Sequence, residues 1–349
     1  MKKQKIDPEL LPRYPFSAIH GLGALSKALG VHPNRLLKCA SNAENMYRIA
    51  KCESKQDGTT RQTFDALPAL KAIQIKIKER ILQQTIFPTY LQGSLRGCSP
   101  RTNAELHTKA KITFAEDISK FFPSASLVLV RTVWERLFGF SSDVSALLTA
   151  LTTKDGGLPQ GAVTSSYLAN LMFWKYEPSL VRRFASRGLR YSRYVDDITV
   201  SSVKRIPANE KTEVIAQIYG MLLHHGFKPN RKKQEITSSE KSMRTTKLVH
   251  HSRVSLPNNE RQKIRAAVFA LECLLTKDGP SASFTKELAS VATRVGRLGS
   301  FHKAEAIALK KRLATVRLII ASGREKSVDK FPDFPVNEMK GSNDLPWDD

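Results

Sequence analysis

Residues Leu189 to Val203, LRYSRYVDDITVSSV, set two adjacent carboxylates, Asp196 and Asp197, between two runs of β-forming residues. Tyr191, Arg193 and Val195 alternate on the way in, and Ile198, Val200 and Ser202 alternate on the way out, which predicts two short strands meeting at a tight turn. Such a hairpin carries two like charges at its tip, an arrangement that is costly unless positive charge sits beside it. The chemically useful partner is a divalent cation, which carboxylates bind well and which phosphoryl transfer needs. Asp-Asp is also ordinary turn chemistry, so other residues must decide between the two readings.

A second predicted strand, Ala110 to Ile118, ends in Glu116-Asp117. Neighbouring strands of one sheet could bring Asp117 to Asp196, with Asp197 alongside. Nucleotidyl transfer uses this grouping: one cation lowers the pKa of an attacking hydroxyl, and another neutralises the departing pyrophosphate. Two cations about 3.5–4 Å apart also resolve the repulsion among three carboxylates. Taken alone, Asp117 would be a cap or turn residue.

The charge balance points to the partner. The 349 residues hold 56 Lys and Arg against 32 Asp and Glu, a net charge of +24. Residues 328–349 are acidic and Pro-rich, so the rest of the chain is more positive than the whole and the tail is expected to be weakly ordered. Positive charge spread through a folded body favours a polyanion, nucleic acid first. No apolar run reaches the roughly 18–20 residues of a membrane span, and the basic start MKKQKIDPELLPRY lacks the apolar core of a secretory signal. Cys39, Cys52, Cys98 and Cys273 show no paired spacing, against structural zinc or a disulfide framework and in keeping with a reducing cytosol.

Along the chain, residues 11–47 read as helical, with Gly30 and Pro33 as punctuation. Tyr47 to Thr63 reads as a hairpin turning at Asp57-Gly58, Leu67 to Thr85 as an amphipathic helix, and Leu91 to Lys109 as a loop. A helix capped by Ser124 is expected next, then a Gly156–Gly161 loop leading into one helix from Val163 to Arg187. The hairpin follows, then a helix from Glu210 to His225 and a short basic strand in Phe227 to Thr237. Lys247 to Pro257 is strand-like, and three helices (Glu260–Leu275, Thr285–Leu298, Lys303–Ser322) close the chain, the first and last rich in Arg and Lys. The order fits an α+β fold: an antiparallel sheet with helices on one face.

Four segments, Glu116–Ser124 (EDISKFFPS), Gly157–Asn170 (GLPQGAVTSSYLAN), Tyr194–Asp197 (YVDD) and Lys228–Lys233 (KPNRKK), together resemble the palm motifs of the reverse transcriptases, in their order and spacing. The resemblance covers Tyr47 to Thr237 strongly and the C-terminal helices loosely. It implies a right-hand polymerase: an N-terminal helical segment (1–46), fingers (47–110), a palm (111–245) with the catalytic hairpin, a helical thumb (246–327) and an acidic tail (328–349). It implies that Asp117, Asp196 and Asp197 are catalytic, holding two Mg2+ ions (or Mn2+) with Ile118 beside Asp117. Lys233 would protonate pyrophosphate, with Lys232 its rival. Phe122 matches the steric gate that excludes a ribose 2′-hydroxyl, and Phe121 competes for the assignment. Gln160 sits where the family meets the incoming dNTP and template, while Lys51 or Lys55, with Arg61, match the bases that hold its triphosphate.

Within that family, Asn103–His107 (NAELH) resembles the NAxxH element of bacterial retron enzymes, although a lone His is more often structural. The resemblance implies a cytoplasmic bacterial RNA-directed DNA polymerase that binds a cognate structured non-coding RNA. It would prime from a 2′-hydroxyl, make a branched RNA–DNA product (msDNA), and act in antiphage defence with an effector or toxin protein. RNA would be met by Asn103, His107, Arg253, Arg261 and Arg265, through shape, phosphates and 2′-hydroxyls. Two departures stand out: Leu248–Leu256 (LVHHSRVSL) replaces the Val-Thr-Gly element of retron enzymes, and Val195 replaces their usual Ala. A non-retron defence reverse transcriptase, a group II intron-like enzyme, and an RNA-binding scaffold restraining an effector are the alternatives.

Overall fold

The computed structural model describes residues 7–54, 60–278 and 281–322. Lys55, the Asp57-Gly58 turn and the acidic tail lie outside the described residues. The chain forms two compact units, one of residues up to Thr246 together with His250–Arg253, the other of Lys247–Val249 and the residues from Val254 onward.

The first unit begins with α1 (Leu22–Leu29) and α2 (Pro33–Ser41). They are two helices because Gly30 leaves α1 in the left-handed conformation and Pro33, at the first turn of α2, suits a helix start. Strands β1 (Tyr47–Ser54) and β2 (Thr60–Ala66) pair antiparallel and lead into α3 (Pro68–Arg80). The stretch read as a loop contains α4 (Pro100–Glu105), which Ser99 and Thr102 close with a reciprocal capping box behind Pro100.

Strand β3 (Ile112–Ser119) is followed by α5 (Phe121–Ser124), α6 (Leu127–Thr132) and α7 (Ser142–Thr152). Ser126, not Ser124, caps α6, its hydroxyl accepting from the Leu129 amide. The expected single helix after the Gly/Pro loop is α8 (Ser165–Leu171) and α9 (Glu177–Ser186), with Pro178 in the first turn of α9. The hairpin is β4 (Leu189–Tyr194) and β5 (Asp197–Ser202); α10 (Ala208–His224), β6 (Lys228–Pro229) and β7 (Glu235–Ser238) follow.

The sheet runs β4-β5-β3-β6, with β7 also on β3, and every pairing is antiparallel. Alternation assigns its two faces. Leu189, Tyr191, Ile198, Val200, Ile112, Phe114 and Ile118 are buried, and so are Phe184 of α9 and Val214, Ile218 and Leu222 of α10 in the same core. Phe114 and Val200 are fully buried, each stabilising the fold by roughly 1.5–3 kcal/mol. The opposite face is polar: Thr113, Asp117, Ser192, Asp197, Thr199 and Ser201 alternate with that core set. A sheet with one apolar and one polar face is what positions the site.

In the second unit, α11 (Asn258–Asp278), α12 (Ala282–Gly299) and α13 (Lys303–Ala321), numbered after the short strands β8 (Arg244–Thr245), β9 (Leu248–His250) and β10 (Val254–Ser255), pack on one another. Their interior holds Val268, Leu271, Val291, Val295, Leu309 and Val316. Three of their arginines face inward rather than outward: Arg261 and Arg265 reach Glu305 at 2.9 and 2.7 Å, and Arg312 Nε reaches Glu272 at 2.7 Å. Both carboxylates are buried, so these bases balance internal acids. Lys263, Lys310, Lys311 and Arg317 are among the exposed bases of these helices.

Candidate active site

The hairpin turns in two residues. Tyr194 pairs with Asp197, leaving Val195 and Asp196 as the loop. Val195 has φ +60° while Asp196 stays outside the left-handed region, the pattern of a turn whose first position favours glycine. A β-branched residue there is strained. Gly93 packs so closely on this turn that a Cβ at residue 93 would run into the Val195 amide nitrogen and side chain.

Register brings the acids together. Asp117 of β3 lies directly opposite Asp197 of β5, and the Ile118 amide donates to the Asp196 carbonyl at 3.1 Å. Strand β6 pairs with Ile118 and Ser119, so the segment after it returns over Asp117. There Asn230 Nδ2 donates to Asp117 Oδ2 at 2.9 Å and Lys233 Nζ donates to Oδ1 at 3.0 Å. Lys232, the rival, has no such bond among those described.

The electrostatics are those of crowded like charges. The Asp197 carboxyl is pushed up to about 7, by the protein packed around it and then by Asp196 and Asp117. The residue as a whole is exposed, so the two neighbouring charges are the firmer cause. Asp196 is raised too, by burial first and by Asp117, with Lys233 and Arg61 opposing. Lys233 is raised, chiefly by its bond to Asp117. No group of three His, Cys, Asp or Glu side chains among the described residues is gathered as a metal cage. Asp117 is turned instead onto Lys233 and Asn230. The donor set still fits a hard divalent cation: it is all oxygen, anionic and mutually repelling, and a cation would remove that penalty.

Around this centre, the structure separates the two phenylalanines. Phe121 is 3% exposed and sits in an aromatic cluster with Phe173 and Phe227, at centroid distances of 5.9 and 5.2 Å. Phe122 is half-buried, and its carbonyl accepts from the Leu158 amide of the Gly/Pro loop at 3.0 Å. Gln160 in that loop is half-buried and tied to β2, its carbonyl accepting from the Phe64 amide at 2.7 Å. Gly161, at φ +105°, permits the approach: a Cβ there would meet the Phe64 carbonyl at 2.7 Å. Lys51 and Arg61 are exposed on β1 and β2, with Lys51 in an ion pair with Glu53.

Asn103 and His107 are not at a surface. Both are fully buried, which corrects the expectation that they meet RNA. His107 Nδ1 bonds Ser201 Oγ at 2.8 Å and Nε2 bonds Ser192 Oγ at 2.7 Å. Ser192 donates its one proton to Asn103 Oδ1 at 2.7 Å, so it accepts from His107 Nε2–H, and Nδ1 accepts from Ser201. Burial holds His107 down to about 3 and His250 to about 4. His250 Nδ1 donates to the His107 carbonyl at 3.0 Å, so the NAELH segment meets the segment that replaces the Val-Thr-Gly element in one buried network. Arg253 is exposed, whereas Arg261 and Arg265 are the partners of Glu305.

Sequence reasoning missed Arg193, Glu177, Asn230 and Gly93. Arg193 carried a signal: it shares strand parity with Leu189 and Tyr191, on the face that must be buried.

An antiparallel palm-like sheet with opposed acids at a hairpin tip defines a nucleotidyl-transfer enzyme, and the family described as Reverse transcriptase (RNA-dependent DNA polymerase) matches residues 54–260. The chain belongs to the reverse transcriptases and is an RNA-directed DNA polymerase. It is similar to the Retron Se72 reverse transcriptase of Salmonella heidelberg (strain 579083-10), 34% identical across 94% of this chain and 85% of that one. The Retron Ec48 reverse transcriptase of Escherichia coli is 32% identical over 93% of this chain and 83% of its own length. The Retron Ec86 reverse transcriptase, also of Escherichia coli, is 28% identical over 73% and 79%. It is a reverse transcriptase of the bacterial retron type, and so takes an RNA template and dNTPs.

Proposed function

We propose that this enzyme copies a cognate structured non-coding RNA, priming from a 2′-hydroxyl of that RNA to give a branched msDNA. The observation that carries the site is the Asp117–Asp197 cross-strand pair, with Asp196 at the adjoining tip and Lys233 on Asp117. Asp117, Asp196 and Asp197, with Ile118, would hold two divalent cations, magnesium by preference. When bound, these supply the charge that eases deprotonation of the attacking hydroxyl and neutralises pyrophosphate. Lys233 is 65% exposed at its side chain, so it can leave Asp117 to give its proton to the departing pyrophosphate. Phe122, the half-buried member of its pair, is the gate against a ribose 2′-hydroxyl. Gln160 meets the incoming base pair, and Lys51 and Arg61, with Lys55, hold the triphosphate.

Recognition of the RNA falls to exposed bases, Arg253 among them, rather than to Asn103 or His107, which shape the surface from beneath. The chain's net charge of +24 supports a polyanionic partner. No helix among the described residues is long and apolar enough to cross a membrane. The similarity to retron enzymes supports a cytoplasmic role in antiphage defence beside an effector protein. The test is to sequence nucleic acid that co-purifies with the protein, and to assay dNTP incorporation against Asp196→Asn plus Asp197→Asn. A short branched RNA–DNA hybrid, lost in the double variant, is expected. Intron RNA, or DNA product that survives the double variant, overturns the reading.

A further inference from the structure

Behind the acidic turn lies a fully buried arginine whose fork is saturated with acceptors. Arg193 Nε and NH2 donate to Glu177 Oε1 and Oε2 at 2.6 and 2.8 Å, a bidentate pair with neither side chain exposed. The same NH2 donates to the Asn170 carbonyl at 2.8 Å. NH1 donates to the Val195 carbonyl at 3.0 Å and to the Ala169 carbonyl at 3.4 Å. One guanidinium therefore joins the end of α8, the start of α9 and the turn that carries Asp196.

The surroundings are built around that fork. Glu177 opens α9, where a helix N-terminus favours negative charge, and it accepts a further bond from the Tyr191 hydroxyl at 2.6 Å. The guanidinium lies 5.1 Å from the Phe173 ring centroid. The backbone of Arg193 is held from the other side, its amide donating to the Tyr90 carbonyl and its carbonyl accepting from Gln92. Asn170 Nδ2 donates to the Gly93 carbonyl at 2.7 Å, and Gly93 presses on Val195. A strained φ of +60° at a valine persists only where neighbours over-determine it. The bond from NH1 to the Val195 carbonyl and the contact from Gly93 both bear directly on that residue.

We propose that Arg193 is a positioning residue for DNA synthesis: through its bond to the Val195 carbonyl, braced by Glu177, it fixes the turn that presents Asp196 and couples that turn to α8. The proposal rests on the reading of Asp196 as a catalytic acid. A buried pair could instead hold the core and nothing more, and removing one partner strands the other's charge. Glu177 alone satisfies a cation, but it does not require the donor aimed at Val195. Lysine keeps the charge beside Glu177 and gives up the planar fork that reaches both.

The test compares Arg193→Lys, Arg193→Met and the charge-neutral pair Arg193→Met with Glu177→Met, using oligo(dT)-primed poly(rA) and thymidine triphosphate. Asp196→Asn is measured beside them. Arg193→Lys and the double variant are expected to unfold cooperatively near the wild-type temperature. Both should lose about 100-fold in kcat, the scale of an ångström-sized misplacement, and need more Mg2+ for half-maximal rate. Their Kd for the primed template should stay within about twofold of wild type, since Arg193 has no exposed surface. Wild-type kcat and Mg2+ dependence in a folded Arg193→Lys or double variant overturns the proposal. So does loss of cooperative folding in all three variants, which would make the pair a core brace alone. If Asp196→Asn itself retains wild-type kcat, the acid reading has failed; if it is inactive while the Arg193 variants are normal, only the positioning role falls.

Discussion

One face of one hairpin carries two polar clusters in opposite electrostatic states. At the tip, Asp197, Asp196 and Asp117 crowd like charges. Four residues down β5, roughly 13 Å along the strand, Ser201 belongs to a network in which both ring nitrogens of His107 are matched. Both clusters are built from titratable side chains against the same backbone. The histidines are held neutral with their ring nitrogens matched, while Asp196 and Asp197 are held against each other and against Asp117 with like charges in conflict. The contrast separates scaffold from site at this hairpin: the ring nitrogens of the buried histidines are matched, whereas the like charges at the tip remain in a conflict that a cation would relieve.

The sharpest test of that contrast is to remove the conflict. Asp196→Asn with Asp197→Asn should cut DNA synthesis by about 1000-fold or more, several kcal/mol at the transition state. It should also leave the melting temperature in EDTA unchanged or higher, because like-charge repulsion is gone. A marked drop in melting temperature would put the acids in the scaffold class and break the comparison.

The acids were legible in the sequence because β formers flank Asp196-Asp197 and precede Asp117, marking a hairpin tip and a strand end; the register that sets Asp117 opposite Asp197 depends on pairing between segments about 80 residues apart. Residue type alone did not tell which side of the chain Asn103 and His107 face, and their matched partners, Ser192 and Ser201, lie more than 80 residues away. The choice between Phe121 and Phe122 needed Phe173 and Phe227 in place. Helix α4 was present locally, in Ser99-Pro100 with Thr102, but glycines nearby masked it. Arg261, Arg265 and Arg312 looked like part of a nucleic-acid face because their counter-ions, Glu305 and Glu272, are distant in sequence.

The second test attacks the histidine cluster. His107→Ala strands the hydroxyls of Ser192 and Ser201 and leaves a cavity, which should cost about 3 kcal/mol of stability by urea unfolding. Well below its melting temperature the variant should keep kcat within about threefold of wild type. A loss of kcat as large as that of the acid variant, in folded protein, would erase the distinction between the clusters.

The third test reads the smallest effect, a difference between slopes in the pH dependence of stability, where the clusters must pull in opposite directions. His107 and His250 have folded pKa values of about 3 and about 4, below the usual 6.5. The unfolded chain therefore binds more protons below about 6.5, and stability present above that pH is lost as it falls, by up to about 1.4 kcal/mol per unit for each histidine. Asp197 runs the other way. Its folded pKa of about 7 lies above the usual 3.8, so the folded state takes the proton first and gains as pH falls through 7 toward 4. Solvent around this exposed residue shrinks that gain. Between pH 7 and 5 in EDTA, wild type should thus lose stability less steeply than the double Asn variant, which keeps the histidines and lacks the opposing carboxylate. His107→Ala should be the flattest of the three. Parallel slopes in all three proteins would mean that the two ends of the hairpin do not differ in protonation as their surroundings require.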